Sequence, residues 1–262
     1  TGTTTVTTDV ADKTITLDTL ASTGAVSLTT SGTTGNVVID NGTTALDLGA
    51  STISGTLSAT SGAAAGIVDS GNVAVSGDVT LTTDANNGVI NLGTLQQSGG
   101  DLVLTTNGTG DATVVNNAAI DFGASNVGGA LSATASAGTI TQNGGTLTVA
   151  GTSAFTTSTA DQAITLSNTA NALTGAVSLT TSGTAGHATI DNGTTALGVQ
   201  GTVSGNLALT SGEAITDSGA LNVTGTTTVT TDVADKTITL DTLASTGAVS
   251  LTTSGTTGNV VI

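Results

Sequence analysis

Residues 1–39 and 224–262 are identical at every position, offset by 223, so the chain returns at Thr224 to the text that began at Thr1. Whatever one copy folds into, the other must also fold into, and successive copies must join without a clash. A period far beyond the roughly 20–50 residues of ordinary solenoid units directs attention to shorter repeats inside it. They are present. GAVSLTTSG at Gly24–Gly32 returns as GDLVLTTNG at Gly100–Gly108 and as GAVSLTTSG at Gly175–Gly183. IVDSGNVAVSG at Ile67–Gly77 returns as ITQNGGTLTVAG at Ile140–Gly151 and ITDSGALNVTG at Ile215–Gly225. Leu28, Leu104, Leu179 and Leu251 recur at nearly equal intervals, which divides the period into three diverged units, approximately 28–103, 104–178 and 179–250. The reading is one continuous solenoid over residues 1–262, with 224–262 restarting the first unit.

Local patterning says what each unit is made of. Val26-Ser27-Leu28, Val73-Ala74-Val75, Leu147-Thr148-Val149 and Leu207-Ala208-Leu209 alternate apolar and polar or small residues with period two, the signature of a half-buried strand. Each segment closes within a few residues on SG, NG or GG, which are turn signals. No segment carries the i, i+3, i+4 spacing of an amphipathic helix, so the expected class is all-β without significant α-helix. Strands this short cannot each bury enough surface in a sandwich. Stacked coil on coil at about 4.8 Å, they form ladders of small aliphatic side chains around a narrow interior. The composition agrees: two Phe, no Trp or Tyr, and 37 Gly for tight corners. Dividing each unit into whole coils predicts four of about 18 residues, or as second choice three of about 25, hence about 12 coils per period on the first choice.

Charge limits the partners. Eighteen acidic residues face two lysines, for a net charge of −16. Binding nucleic acid or an anionic membrane surface requires many Lys and Arg, which excludes both classes. No apolar run approaches the roughly 18 residues of a membrane span, so no membrane insertion is expected. Without Cys there is no disulfide framework and no thiolate metal site. The final GNVVI stops where the first copy continues with DNGTTAL, and neither end carries a cap. The expected partners are therefore further copies of the same repeat, covalent or stacked end to end, together with lateral fibre association.

GNLALTSGEAITDSGALNVTGTTTVTT at Gly205–Thr231 resembles the repeats of large secreted bacterial exoproteins of the filamentous-haemagglutinin-like kind. These use G-x-L-x-L-x-S-G, I-T-x-S-G and G-x-L-x-V-x-G phrases in long tandem arrays, and similar phrasing covers nearly the whole chain. The resemblance implies a right-handed parallel β-helix (β-solenoid). It also implies secretion across the outer membrane of a Gram-negative bacterium and a place at the cell surface as adhesin shaft or fibre.

The residues that carry chemistry are few. His187, the only histidine, lies in a turn where related units have Asn36 and either Asp111 or Ala112, which suits a solvated loop residue. Asp40, Asp69, Asp191 and Asp217 precede Asn-Gly or Ser-Gly turns. Such residues cap turns through their own backbone; stacked, they are also candidate Ca²⁺ ligands. The calcium β-roll nonapeptide and EF-hand spacing are absent, so a Ca²⁺-binding β-roll-like solenoid is a minor alternative, and the expectation is no cofactor beyond loosely bound Ca²⁺. Lys13, and its copy Lys236, stands among aspartates, Asp9, Asp12 and Asp18, and is expected to compensate charge locally. Asn41, Asn107 and Asn192 begin glycosylation sequons that Asn-Gly turns explain without glycan. Outward Thr-x-Thr pairs such as Thr80 and Thr82 raise ice binding as a minor alternative. No catalytic residues are identified, and for a polysaccharide-cleaving β-helix the chain lacks the Arg, Trp and Tyr with which to hold a sugar. The expectation is a structural, non-enzymatic extracellular fibre or adhesin shaft serving attachment or cell–cell linkage. A self-assembling filament or sheath subunit is the alternative.

Overall fold

A computed structural model describes residues 2–262; Thr1 of the first repeat copy lies outside the described residues. The described residues wind into about 12 turns of a β-solenoid whose strands form two sheets, of sixteen and fifteen strands, with parallel pairing throughout. No helix occurs among the described residues. One coil shows the plan. Leu131–Ala135 lies on the first sheet, Ile140–Gln142 and Leu147–Val149 on the second, and Ser153–Thr157 returns to the first, directly above the start. Leu131 pairs with Ser153 and Ala133 with Phe155. The Leu131 N–H donates to Thr152 O at 2.9 Å, one of the hydrogen bonds that run coil to coil along the axis.

Alternation puts every second side chain inside. Val26, Leu28, Leu102, Leu104, Val177 and Leu179 are all fully buried, and the interior is Val, Ile, Leu and Ala almost throughout. The two phenylalanines meet across it. Phe122 of the second sheet and Phe155 of the first pack edge to face, centroids 6.2 Å apart at 80°. Ala133, the ladder partner beneath Phe155, is the small residue that makes room for its ring.

Coil length departs from expectation. The tightest ladder step joins Leu197 to Ile215, the widest include Ser153 to Val177, and a step of about 21 in the numbering is typical. Neither 18-residue nor 25-residue coils describe the chain, and the period contains fewer than 12. From Ile15 on the second sheet, ten coil steps lead to Thr227 on the same sheet; Ile238, the copy of Ile15, follows half a coil later on the first. The period is therefore ten and a half coils, a rise of roughly 50 Å at about 4.8 Å per coil. Each smaller unit is three and a half. Equivalent strands Val26–Thr29, Leu102–Asn107, Val177–Thr180 and Val249–Thr252 lie on the first, second, first and second sheets. The physical reason is that the two faces of a coil are nearly interchangeable. Both present short alternating strands bounded by tight corners, so a unit holding seven faces closes as well as one holding eight.

Candidate functional site

The polar side chains are organised as a coil-to-coil fastening system, repeated unit by unit. One element is internal. Asn41, Asn116 and Asn192, one in each unit, are fully buried at strand ends. Asn116 Oδ1 accepts the N–H of Gln97 in the coil below at 2.8 Å, and its Nδ2 donates to Gln97 O at 3.0 Å and to Ala119 O at 2.7 Å. Asn41 treats Ser22 in the same way, at 2.8 and 2.9 Å, and Asn192 treats Leu173, at 2.8 and 3.1 Å. A buried amide that satisfies both backbone groups of one residue removes the cost of leaving them unpaired at the corner. These asparagines look like turn residues in the sequence, and their inward role was not foreseen. Their recurrence once per unit, always beside a strand end, is the signal that could have found it. Burial also closes the sequons at Asn41 and Asn192, whose amide nitrogens are occupied by backbone carbonyls; Asn107 is exposed.

A second element lies at the outer corners. Asp12, Asn87, Asp161 and Asp235, again one per unit, hold positive φ of 61–65°. Asp and Asn tolerate this left-handed conformation better than other residues with a side chain. Directly above lie Gly32, Gly108, Gly183 and Gly255, also at positive φ, where a Cβ would collide with the residue beneath. The Asp12 carboxylate accepts N–H groups of Thr33 and Thr34 at 2.7 and 2.9 Å. That of Asp161 accepts from Thr184 and Ala185, and that of Asp235 from Thr256 and Thr257. Backbone donation, led by Thr33, Ala185 and Thr257 respectively, holds all three carboxyls below the usual aspartate value.

The residues singled out in the sequence fall into the same system. His187 Nδ1 accepts the Asn206 N–H at 2.8 Å, just as Asn36 Oδ1 accepts from Thr56 and Asp111 Oδ1 from Ala130. Asp111, rather than Ala112, is thus the counterpart of His187. Three chemically different side chains serve as one backbone acceptor. Asp40 and Asp191 receive the N–H of Gly42 and Gly193 within their own turns on the second sheet. Asp69 and Asp217, on the first sheet, receive Gly93 and Thr94, and Thr242, of the next coil. The structure does not bring these four together, and among the described residues no three His, Cys, Asp or Glu form a metal-holding group. Local compensation around the lysine is corrected. Lys236 reaches one coil down to Glu213, 2.7 and 2.8 Å from its two oxygens, in the one ion pair among the described residues. A full turn of chain between the two hides the pairing from any local reading.

Threonines dominate the outer faces. Thr134, Thr156, Thr180 and Thr202 stack in unbroken register on the first sheet, and Thr60, Thr82 and Thr105 on the second. Others turn inward at strand ends and close corners: the hydroxyls of Thr30, Thr106 and Thr181 each donate at 2.7 Å to a glycine carbonyl, of Gly35, Gly110 and Gly186. No helix is long and apolar enough to cross a membrane among the described residues.

Against known proteins, the model of a family described as repeats of unknown function (DUF5649) matches three consecutive stretches, residues 34–105, 109–180 and 185–252. No curated protein and no solved structure matches the chain.

Proposed function

The chain belongs to the DUF5649 repeat family, and we propose that it serves as a structural, non-enzymatic shaft, an extracellular fibre or adhesin stalk that carries load and sets distance. The observation that carries this reading is continuity. Parallel pairing runs through about 12 turns over an aliphatic interior, and the polar side chains described above fasten coil to coil. Such a body supplies length, roughly 58 Å for 12 coils, and resists separation along its axis. In a quasi-one-dimensional stack each coil is stabilised by its neighbours, so load is released one coil at a time.

Placement at the cell surface rests on the resemblance to filamentous-haemagglutinin-like exoproteins. It is supported by the scarcity of cleavage points: two lysines, no arginine, and two phenylalanines that are both buried. In this reading no cofactor is required, Ca²⁺ acts only as a loose counter-ion to the acidic surface, and the partners are further copies of the repeat.

Pulling single molecules from both ends tests the shaft. We expect a series of similar steps, each releasing about 21 residues, roughly 70 Å of extended chain. Collapse of the whole chain in one low-force event would be incompatible with a load-bearing role. Antibody labelling of intact and permeabilised source cells tests the location; signal confined to permeabilised cells would place the shaft inside.

A further inference from the structure

We propose that the outer face of the first sheet from Thr113 to Thr202 is a side-by-side packing surface for a second copy of this chain. The proposal rests on the shaft reading and names the partner of that shaft.

Charge marks the face, which lies in the longest uncharged run on either sheet. At −16, two rods repel along most of their surfaces. Carboxylates line the corners, and Asp40, Asp121 and Asp191 stand on the second sheet. On the first sheet, Asp47 and Asp69 lie at one end and Asp217 at the other. Between them the outward positions of five consecutive coils carry no charge: one rank is Thr134, Thr156, Thr180 and Thr202, and the rank beside it is Thr113, Ser132, Ala154, Ser178 and Gln200.

Regular register marks the same stretch independently. Register is unbroken in the four successive pairings that join Ala112–Asn116 to Leu197–Val203, while the next pairing on either side, with Ile90–Gln97 and with Ile215–Val223, contains a shift. A regular sheet surface of uncharged side chains, mostly Thr and Ser and repeating every ~4.8 Å, is complementary to another copy of itself, as in stacked-sheet assemblies. Its size sets its strength. Four steps of about 4.8 Å by a strand of about 17 Å give roughly 300 Å² per copy, against about 800 Å² per partner in stable complexes. One segment therefore binds its twin weakly, and an array of segments binds through many such contacts at once.

The chain has no cysteine, so single-cysteine variants report on one face at a time. Thr156→Cys probes the proposed surface. Thr165→Cys, at an outward position between Ile164 and Leu166 of the second sheet, is the control. With a short bismaleimide cross-linker and rising protein concentration, Thr156→Cys should form cross-linked dimer at least tenfold faster. Adding Ser178→Asp, which places a charge beside it, should reduce that rate to the control level. Equal rates at the two positions, or a rate unmoved by Ser178→Asp, would overturn the packing surface. Small-angle scattering of the same samples separates the two levels. A rod with equal rates removes the lateral surface and leaves the shaft; a compact or expanded particle removes both. Equal rates with wild-type chain shaping growing ice crystals would reassign the face to ice.

Discussion

Asn116 holds Gln97 at both of its backbone groups, accepting the N–H at 2.8 Å and donating to the carbonyl at 3.0 Å, with no solvent exposure. Asn116→Ala removes this partner from the Gln97 N–H and carbonyl and from the Ala119 carbonyl; a buried group left unpaired costs about 1–3 kcal/mol. A loss of roughly 2–4 kcal/mol in urea unfolding is expected, with the slope unchanged. Asn116→Asp should be no better, because the carboxylate keeps the acceptor but loses both Nδ2 hydrogen bonds. A shift below about 0.5 kcal/mol for the alanine variant, the size of an ordinary surface change, would show that the asparagine is not a fastener.

The corner carboxylates predict the acid response. Asp12, Asp161 and Asp235 have folded values below their unfolded ones, through backbone hydrogen bonds. Their contribution is present above the unfolded value of about 3.9 and is lost as pH falls through the folded values. The unfolding midpoint should be flat near neutrality and decline below about pH 4. Replacing all three by Asn, the residue that holds this corner at position 87, should flatten that decline. The measurement is midpoint against pH for both chains; parallel curves would remove these groups from the explanation.

Ala133 beneath Phe155 tests the interior. Ala133→Leu inserts three carbons where the ring already fills the space, and should destabilise by about 1–3 kcal/mol. Phe155→Ala opens a cavity and should cost about 3–5 kcal/mol. If Ala133→Leu raised the melting temperature, the coil around the Phe122–Phe155 pair would be looser than described.

The Lys236–Glu213 pair is partly exposed, with side chains 29% and 43% accessible. Glu213→Gln should therefore cost less than about 1 kcal/mol, and the difference should fade in roughly 1 M salt. A larger, salt-insensitive loss would mean that the pair is a structural lock.

Trypsin reads the period directly. Lys13 and Lys236 are the only cleavage points, so the denatured chain should give one large fragment, Thr14–Lys236, which is one whole period. Applied to the protein purified from its source, the same digest should give that fragment as the dominant mass. A ladder of unrelated masses would argue against a regular array.

Much of the fold was legible because it rests on local chemistry. Val26-Ser27-Leu28 alternates, SG and NG close it, and no helical spacing competes. The coil was not legible, because similarity between Leu28, Leu104 and Leu179 reports the unit, and a unit need not hold a whole number of coils. The fasteners were hidden for a different reason. Asn36, Asp111 and His187 share a role defined by an acceptor atom, which residue type conceals, and Glu213 meets Lys236 only after a full turn of chain.

Three and a half coils per unit gives the chain a parity. Inserting or deleting one unit, or one whole period of ten and a half coils as recombination between the identical stretches would do, leaves local folding intact. It also turns everything downstream half a revolution about the axis. What faced a neighbour then faces away, and a second insertion restores it. Copy number in such a protein would thus set orientation as well as reach, with odd and even changes having opposite consequences for any surface the shaft displays.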